Sequence, residues 1–234
     1  MNRLIVALDL ATAEESTRMA QRLAGHVGGF KVGLELLMGP GPATISAIRQ
    51  TGLPIFADAK LHDIPNTVER AARQLGGLGI RWLTVHASGG IQMMQAAVRG
   101  LTDGSPGTES GVLAVAVLTS LGAADLTTLG LVGSTGKQVV RLARLAAAAG
   151  VEGVVCSVQE LGDVAQVAPK LIRVTPGIRP AGSPPDDQAR VSTPAEAIRR
   201  GADWIVVGRP ITRARDPVAA AQQIAAELEL SRSG

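Results

Sequence analysis

With 234 residues and 46% apolar content, the chain can bury a substantial core in one large α/β domain or two small ones, which excludes a disordered polymer. Its net charge of +3 comes from Lys and Arg scattered singly or in pairs, and two Phe, two Trp and no Tyr leave little to stack on bases. That pattern argues against a nucleic-acid surface and for a small-molecule substrate.

Taken in chain order, short Val/Ile/Leu-rich runs recur eight times: LIVALD (4–9), FKVGL (30–34), PIFADAK (54–60), WLTVHA (82–87), VLAVAVLTS (112–120), GVVCS (153–157), LIRVTPG (171–177) and WIVVGR (204–209). Most are continuous rather than alternating, as parallel strands buried on both faces are. Helix starts lie between them. Thr12 with Glu15, Ser157 with Glu160, and Thr193 followed by Pro194 and Glu196 have capping-box spacing, and Asp216 before Pro217 reads as an N-cap with proline at N1.

Strands alternating with helices at this spacing predict an α/β fold, a single-domain (β/α)8 TIM barrel over residues 1–230 with a frayed tail at 231–234. An open, doubly wound sheet is the second architecture. It is weakened because no G-x-G-x-x-G opens a helix after the first strand. The long Pro/Gly/Asp-rich stretch RPAGSPPDDQAR (179–190) has the length of a lid. Cys156 is the only cysteine, so no intrachain disulfide can form, and its apolar setting predicts a core residue. No signal peptide precedes the first strand and no apolar run reaches the roughly 18 residues of a membrane helix, so a soluble, cytoplasmic protein without a membrane partner is expected.

The polar residues of the strands collect at their C-terminal ends: Asp9, Lys31, Asp58, Lys60, His86, Thr119, Ser120, Arg179 and Arg209. In a barrel those ends meet at one rim, where active sites are built. In ADAKLHDIPNT (57–67), alternation puts Asp58 and Lys60 on one face. One Asp-Lys pair closing a strand is commonly structural. Here Lys31 ends the neighbouring strand and Asp63 follows in the turn, so four alternating charges would crowd one site. Desolvating them costs several kcal/mol per ion, and function is the better reason to retain them.

Across the rim, Arg179 follows the seventh strand and Gly208 and Arg209 end the eighth, where barrels commonly hold a phosphate. Gln188 in the long loop could reach the same phosphate on closure. His62 is read as a packing residue off the Asp58/Lys60 face, His86 could line the pocket floor, and His26 is expected on the surface. Neither His62 nor His86 has a His or Cys partner at metal-ligand spacing, and no metal is expected.

DAKLHDIPNT resembles the D-x-K-x-x-D-I-P-x-T signature of the orotidine 5'-phosphate decarboxylase family. The likeness extends along the chain, through VALD (6–9), FKVG (30–33), LTS (118–120), TPGIRP (175–180) and VVGRPIT (206–212). The resemblance implies decarboxylation of orotidine 5'-phosphate to UMP and CO2 without any cofactor. It implies a network of Lys31, Asp58, Lys60 and Asp63, in a homodimer whose Asp63 and Thr67 cross into the partner's site. Asp9 and Lys31 would hold ribose hydroxyls, Ser120 and Thr119 the pyrimidine, and Gln188, Gly208 and Arg209 the phosphate, with Arg179 nearby. Family phosphate sites sometimes add a Tyr from the closing loop, and this chain has none.

D-x-K-x-x-D alone is shared with Mg²⁺-dependent sugar-phosphate decarboxylases and aldolases, which place Glu in the second strand. Here that position is Lys31, a cation that would repel the metal, and Glu35 is expected too far along the loop. A catalytically idle, nucleotide-binding barrel is the third reading, and the complete Lys/Asp set argues against it.

Overall fold

Each of the eight apolar runs forms a strand in the computed structural model, which describes residues 2–180 and 192–230. The strands are β1 (Leu4–Ala7), β2 (Gly29–Val32), β3 (Ile55–Leu61), β4 (Trp82–His86), β5 (Gly111–Val115), β6 (Gly153–Val155), β7 (Ile172–Thr175) and β8 (Trp204–Val207). All neighbours pair parallel in sequence order, and β8 returns to β1 through Leu4↔Ile205, closing the barrel. Closure rules out the open sheet.

Alternation along the strands divides the core in two. Ile5, Ala7, Phe56, Trp82, Leu113, Val174 and Val206 pack together inside the barrel. Their neighbours of opposite parity, such as Leu4, Val6, Ala57, Leu83 and Val112, pack outward beneath the helices with residues such as Leu23, Ile48 and Met94. At the N-terminal end Trp82 and Trp204 meet edge to face with centroids 5.0 Å apart. Glu152 holds that end together, accepting from Arg81 and from Trp82 Nε1 at 3.2 Å. The barrel is therefore filled at its base, and the cavity opens at the opposite rim.

The predicted helix starts are present. Thr12 Oγ1 accepts from the Glu15 N–H at 3.1 Å, Thr193 Oγ1 from the Glu196 N–H at 3.2 Å, and Asp216 Oδ1 from the Val218 N–H at 3.0 Å. The Glu160 carboxylate accepts from the Ser157 N–H at 3.1 Å and from the Ser157 hydroxyl, but this cap opens a short 3-10 turn, Val158–Glu160, before the helix Leu161–Val167. The Glu196 carboxylate turns instead to Ser192 Oγ, so Thr193 caps without the reciprocal bond.

Several strands are shorter than their apolar runs. β5 stops at Val115, five residues before Ser120, because its neighbours end at His86 and Val155 and leave nothing for residues 117–120 to pair with. Thr119 and Ser120 thus sit in the loop after the strand. Gln188 and most of the 179–190 loop, and the expected tail at 231–234, lie outside the described residues.

Candidate active site

The cavity at the C-terminal rim has a volume of about 490 Å³. The expected residues Asp9, Lys31, Asp58, Lys60, Thr119, Ser120, Arg179, Gly208 and Arg209 all line it. Its floor is apolar, made by Ala7, Phe56, Val115, Val155 and Val206. Cys156, expected in the core, is buried and also lines the cavity wall.

Adjacent strands assemble the charged wall. β2 places Lys31 Nζ 3.1 Å from Asp9 Oδ1 and 3.3 Å from Asp58 Oδ2. β3 places Lys60 Nζ 2.8 Å from the same Asp58 oxygen. Gly33 makes room for the first of these pairs, since a Cβ there would stand 3.0 Å from both Asp9 Oδ1 and Lys31 Nζ. The result is a chain of alternating sign, Asp9, Lys31, Asp58, Lys60, neutral as a whole. Its middle is nearly closed to solvent, with the Lys31 and Asp58 side chains 12% and 11% exposed, whereas Lys60 is 30% exposed and faces the cavity.

Burial alone would push the Lys31 pKa down, but the Asp58 and Asp9 charges and their hydrogen bonds outweigh it, so its ammonium is held above the ordinary lysine range. Burial alone would push Asp58 up. The Lys31 and Lys60 charges, with hydrogen bonds from Lys60 and Thr84, reverse that and hold its carboxyl below the ordinary range. Both central groups stay charged at neutral pH.

Both carboxylate oxygens of Asp58 are engaged. Its Oδ2 receives both lysines and its Oδ1 accepts from Thr84 Oγ1 at 2.9 Å. Thr84 escaped the reading of the sequence because a threonine inside WLTVHA looks like a packing residue of a buried strand. A polar side chain of inward parity between Trp82 and His86 was the available signal.

Asp63 and Thr67 stand apart from this group. Both are exposed and neither lines the cavity. Asp63 Oδ1 accepts from the Ile64 N–H at 2.6 Å, just before the helix Pro65–Gly76 that carries Thr67. Among the described residues Asp63 has no cation within salt-bridge distance, and Ile64 beside it is 66% exposed. Within one chain the network therefore contains Asp9 rather than Asp63 as its second acid.

His86 is corrected. It does not line the cavity, and its ring lies 5.5 Å from that of His62 in the turn after β3. The place above Thr84 is taken by Lys60, whose backbone N–H donates to Thr84 Oγ1 at 2.9 Å. Burial, then the His62 and Lys60 charges, hold the His86 pKa below the ordinary histidine range, against the pull of Asp58. His62 is exposed and off the charged wall, because β3 ends at Leu61 after an irregular register and strict alternation, which would put residue 62 on the face of 58 and 60, no longer applies. His26 is half-buried against Gln222 rather than fully on the surface. Glu35 does reach the cavity, contrary to expectation, although it is exposed and forms no part of the Lys/Asp chain.

On the opposite side, Arg179 is buried after β7, with Nη1 3.3 Å from the Ile178 carbonyl. Its backbone is tied across the loop by donation to the Ser192 carbonyl at 2.9 Å. Gly208 and Arg209 follow β8, and a Cβ at Gly208 would stand 3.4 Å from Ala7 Cβ. The cavity thus has cations at both ends, an apolar floor, and Thr119 and Ser120 between.

Known proteins resemble this chain in sequence and fold. Residues 2–224 match the family model described as Orotidine 5'-phosphate decarboxylase / HUMPS family. The orotidine 5'-phosphate decarboxylase of Anaeromyxobacter sp. (strain K) is 54% identical over 227 residues, covering 97% of this chain and 98% of that protein. That of Moorella thermoacetica is 46% identical over 98% of this chain and 93% of its own length. The crystal structure of orotidine 5'-phosphate decarboxylase from Lactobacillus acidophilus superposes with a TM-score of 0.87 at 40% identity, covering 97% of this chain and 99% of that one. By family model, relatives and barrel alike, this chain belongs to the orotidine 5'-phosphate decarboxylase / HUMPS family.

Proposed function

We propose that the chain decarboxylates orotidine 5'-phosphate to UMP and CO2, the last step of de novo pyrimidine nucleotide synthesis. The observation that carries the reading is the Lys60 ammonium, held by Asp58 and facing a cavity lined at its far end by Arg179 and Arg209. In the reaction the bond from C6 to the carboxylate breaks, CO2 leaves, and an electron pair remains in the ring plane, where the π system delocalises it poorly. Lys60 stabilises that pair electrostatically and then gives C6 a proton, to be replaced from solvent. Thr119 and Ser120 bind the pyrimidine, Asp9 and Lys31 the ribose hydroxyls, and Gly208 and Arg209 the phosphate, with Arg179 beside them and Gln188 joining from the loop.

Asp58 has two possible effects, and their magnitudes can be compared. A substrate carboxylate about 4 Å from it would be repelled by about 4 kcal/mol at an effective dielectric near 20. Its charge is shared, however, by two ammonium groups at 2.8 and 3.3 Å, which attract the same carboxylate. The net field favours carbanion stabilisation over ground-state repulsion, with Asp58 chiefly holding the lysine.

Lys31 also argues against the Mg²⁺-dependent reading. Its nitrogen lies within 3.3 Å of both Asp9 and Asp58 and so supplies the positive charge that a metal would bring between them. The direct test is loss of substrate absorbance on incubation with orotidine 5'-phosphate, expected to proceed equally with EDTA. A rate abolished by chelator would select the metal-dependent alternative, and UMP binding without turnover would select the idle one.

The reading includes a homodimer in which Asp63 and Thr67 enter the partner's cavity, supported by the exposure of Asp63 and Ile64 on the turn after β3 and of Thr67 in the helix that follows. It also includes a cytoplasmic location. No helix among the described residues is long and apolar enough to cross a membrane.

Phosphate lies several bonds from C6, so its binding energy acts by organising the charged wall and closing the loop after β7. Arg209→Ala is accordingly expected to lower kcat as well as raise KM. Steady-state rates at saturating substrate decide this, and a wild-type kcat there would mean that the phosphate contributes affinity alone.

A further inference from the structure

Between the pairs Ala57↔Leu83 and Leu61↔Val85, three residues of β3, Asp58, Ala59 and Lys60, stand against one residue of β4, Thr84. Such a bulge interrupts the ladder and redirects side chains. Lys60 absorbs the irregularity with φ at +47°, the one left-handed backbone of a non-glycine residue among those described. That conformation costs an L-residue about 1–2 kcal/mol, and a surrounding structure must hold it.

The holding group is visible. The Lys60 N–H, displaced from the ladder, donates to Thr84 Oγ1 at 2.9 Å, and the same hydroxyl donates its own proton to Asp58 Oδ1 at 2.9 Å. Thr84 is 0% exposed, so these bonds have no competition from bulk water. It does not line the cavity, which separates it from the groups available to ribose, pyrimidine and phosphate.

We propose that Thr84 is a positioning residue for the reaction, fixing in one arrangement the backbone of Lys60 and the carboxylate that steers its ammonium. The proposal rests on the Lys60-centred reading above. A hydroxyl is needed because one group must accept from an amide and donate to a carboxylate together. Valine would keep the shape and lose both bonds, leaving the Lys60 N–H and one Asp58 lone pair unpaired within the wall. The flexible lysine would then be anchored only through a carboxylate whose own orientation has loosened.

The test compares Thr84→Val and Thr84→Ser by kcat, KM and UMP affinity, with rates normalised to UMP-binding sites. Thr84→Val is expected to lower kcat by about tenfold to a hundredfold while KM and UMP affinity stay near wild type. Thr84→Ser should restore kcat, and amide exchange at Lys60 should be faster in Thr84→Val alone. If Thr84→Val does not accumulate folded, Thr84→Ala supplies the hydroxyl-free comparison. A wild-type kcat without the hydroxyl overturns the proposal, as does an equal loss in Thr84→Ser. Were the wild-type protein unable to turn over orotidine 5'-phosphate, the decarboxylase reading would fall separately. Lys60 amide exchange would then decide the positioning by itself, unchanged protection in Thr84→Val overturning it.

Discussion

Lys60→Ala is expected to lower turnover of orotidine 5'-phosphate by about 10⁴-fold or more, because one residue supplies both the charge that stabilises the carbanion and the proton that quenches it. UMP affinity should change little, since the pyrimidine, ribose and phosphate contacts come from other residues. The fold should persist too: Asp58 would keep Lys31 at 3.3 Å and Thr84 at 2.9 Å. Initial rates by absorbance, with UMP titration on the same sample, check both halves. Mixing this variant with Asp63→Ala adds a test of the shared site. If each site takes Lys60 from one protomer and Asp63 from the other, random reassortment restores about a quarter of wild-type activity, since half the dimers are mixed and each has one intact site. No recovery after subunit exchange would mean that Asp63 serves its own chain or none.

Asp58→Asn is the second large effect, and it reaches stability as well as rate. It leaves Lys31 and Lys60 near one another with only Asp9 to balance them. Breaking a buried ion pair from one side costs about 3–5 kcal/mol, and kcat is expected to fall by about 10²- to 10³-fold as Lys60 loses its anchor. The pH dependence has a definite sign. The folded-state pKa of Asp58 lies below the unfolded 3.8, so its contribution is fully present above that value and is lost as pH falls through the folded pKa. Lys31 is raised above 10.5, so its share is full below that value and is lost as pH climbs through the folded pKa. Urea unfolding of wild type and variant should therefore differ most across the neutral range and converge in acid. A constant difference down to strong acid would show that the Asp58 charge contributes nothing to folding.

Much of this architecture was legible in the residues. Continuous apolar runs with polar ends are what a parallel strand buried on both faces requires, and the rim follows because all such ends point one way in a barrel. That alignment was enough to place Asp9, Lys31, Asp58 and Lys60 at one rim. The internal length of β3 was not legible. Counting by twos put Asp58 and Lys60 on one face, yet the structure brings them together through a three-against-one bulge with a left-handed lysine. Register is a property of two strands, and one strand's composition does not report it. The same irregularity gave Thr84 its role and displaced His86 from the floor. β5 was read too long because its apolar run continues past the point where its neighbours supply partners. Asp63 needed a different kind of information, since its proposed role places its partners in a second chain.

The tryptophan-filled base has a consequence for traffic. Because Trp82 and Trp204 stopper the vessel below, the gas released in the proposed reaction would exit past the same threshold that admits the nucleotide. Until it has gone, recapture by the nascent carbanion competes with quenching. In the proposed mechanism a lysine stationed at the breaking bond, rather than a distant acid, would favour the forward branch.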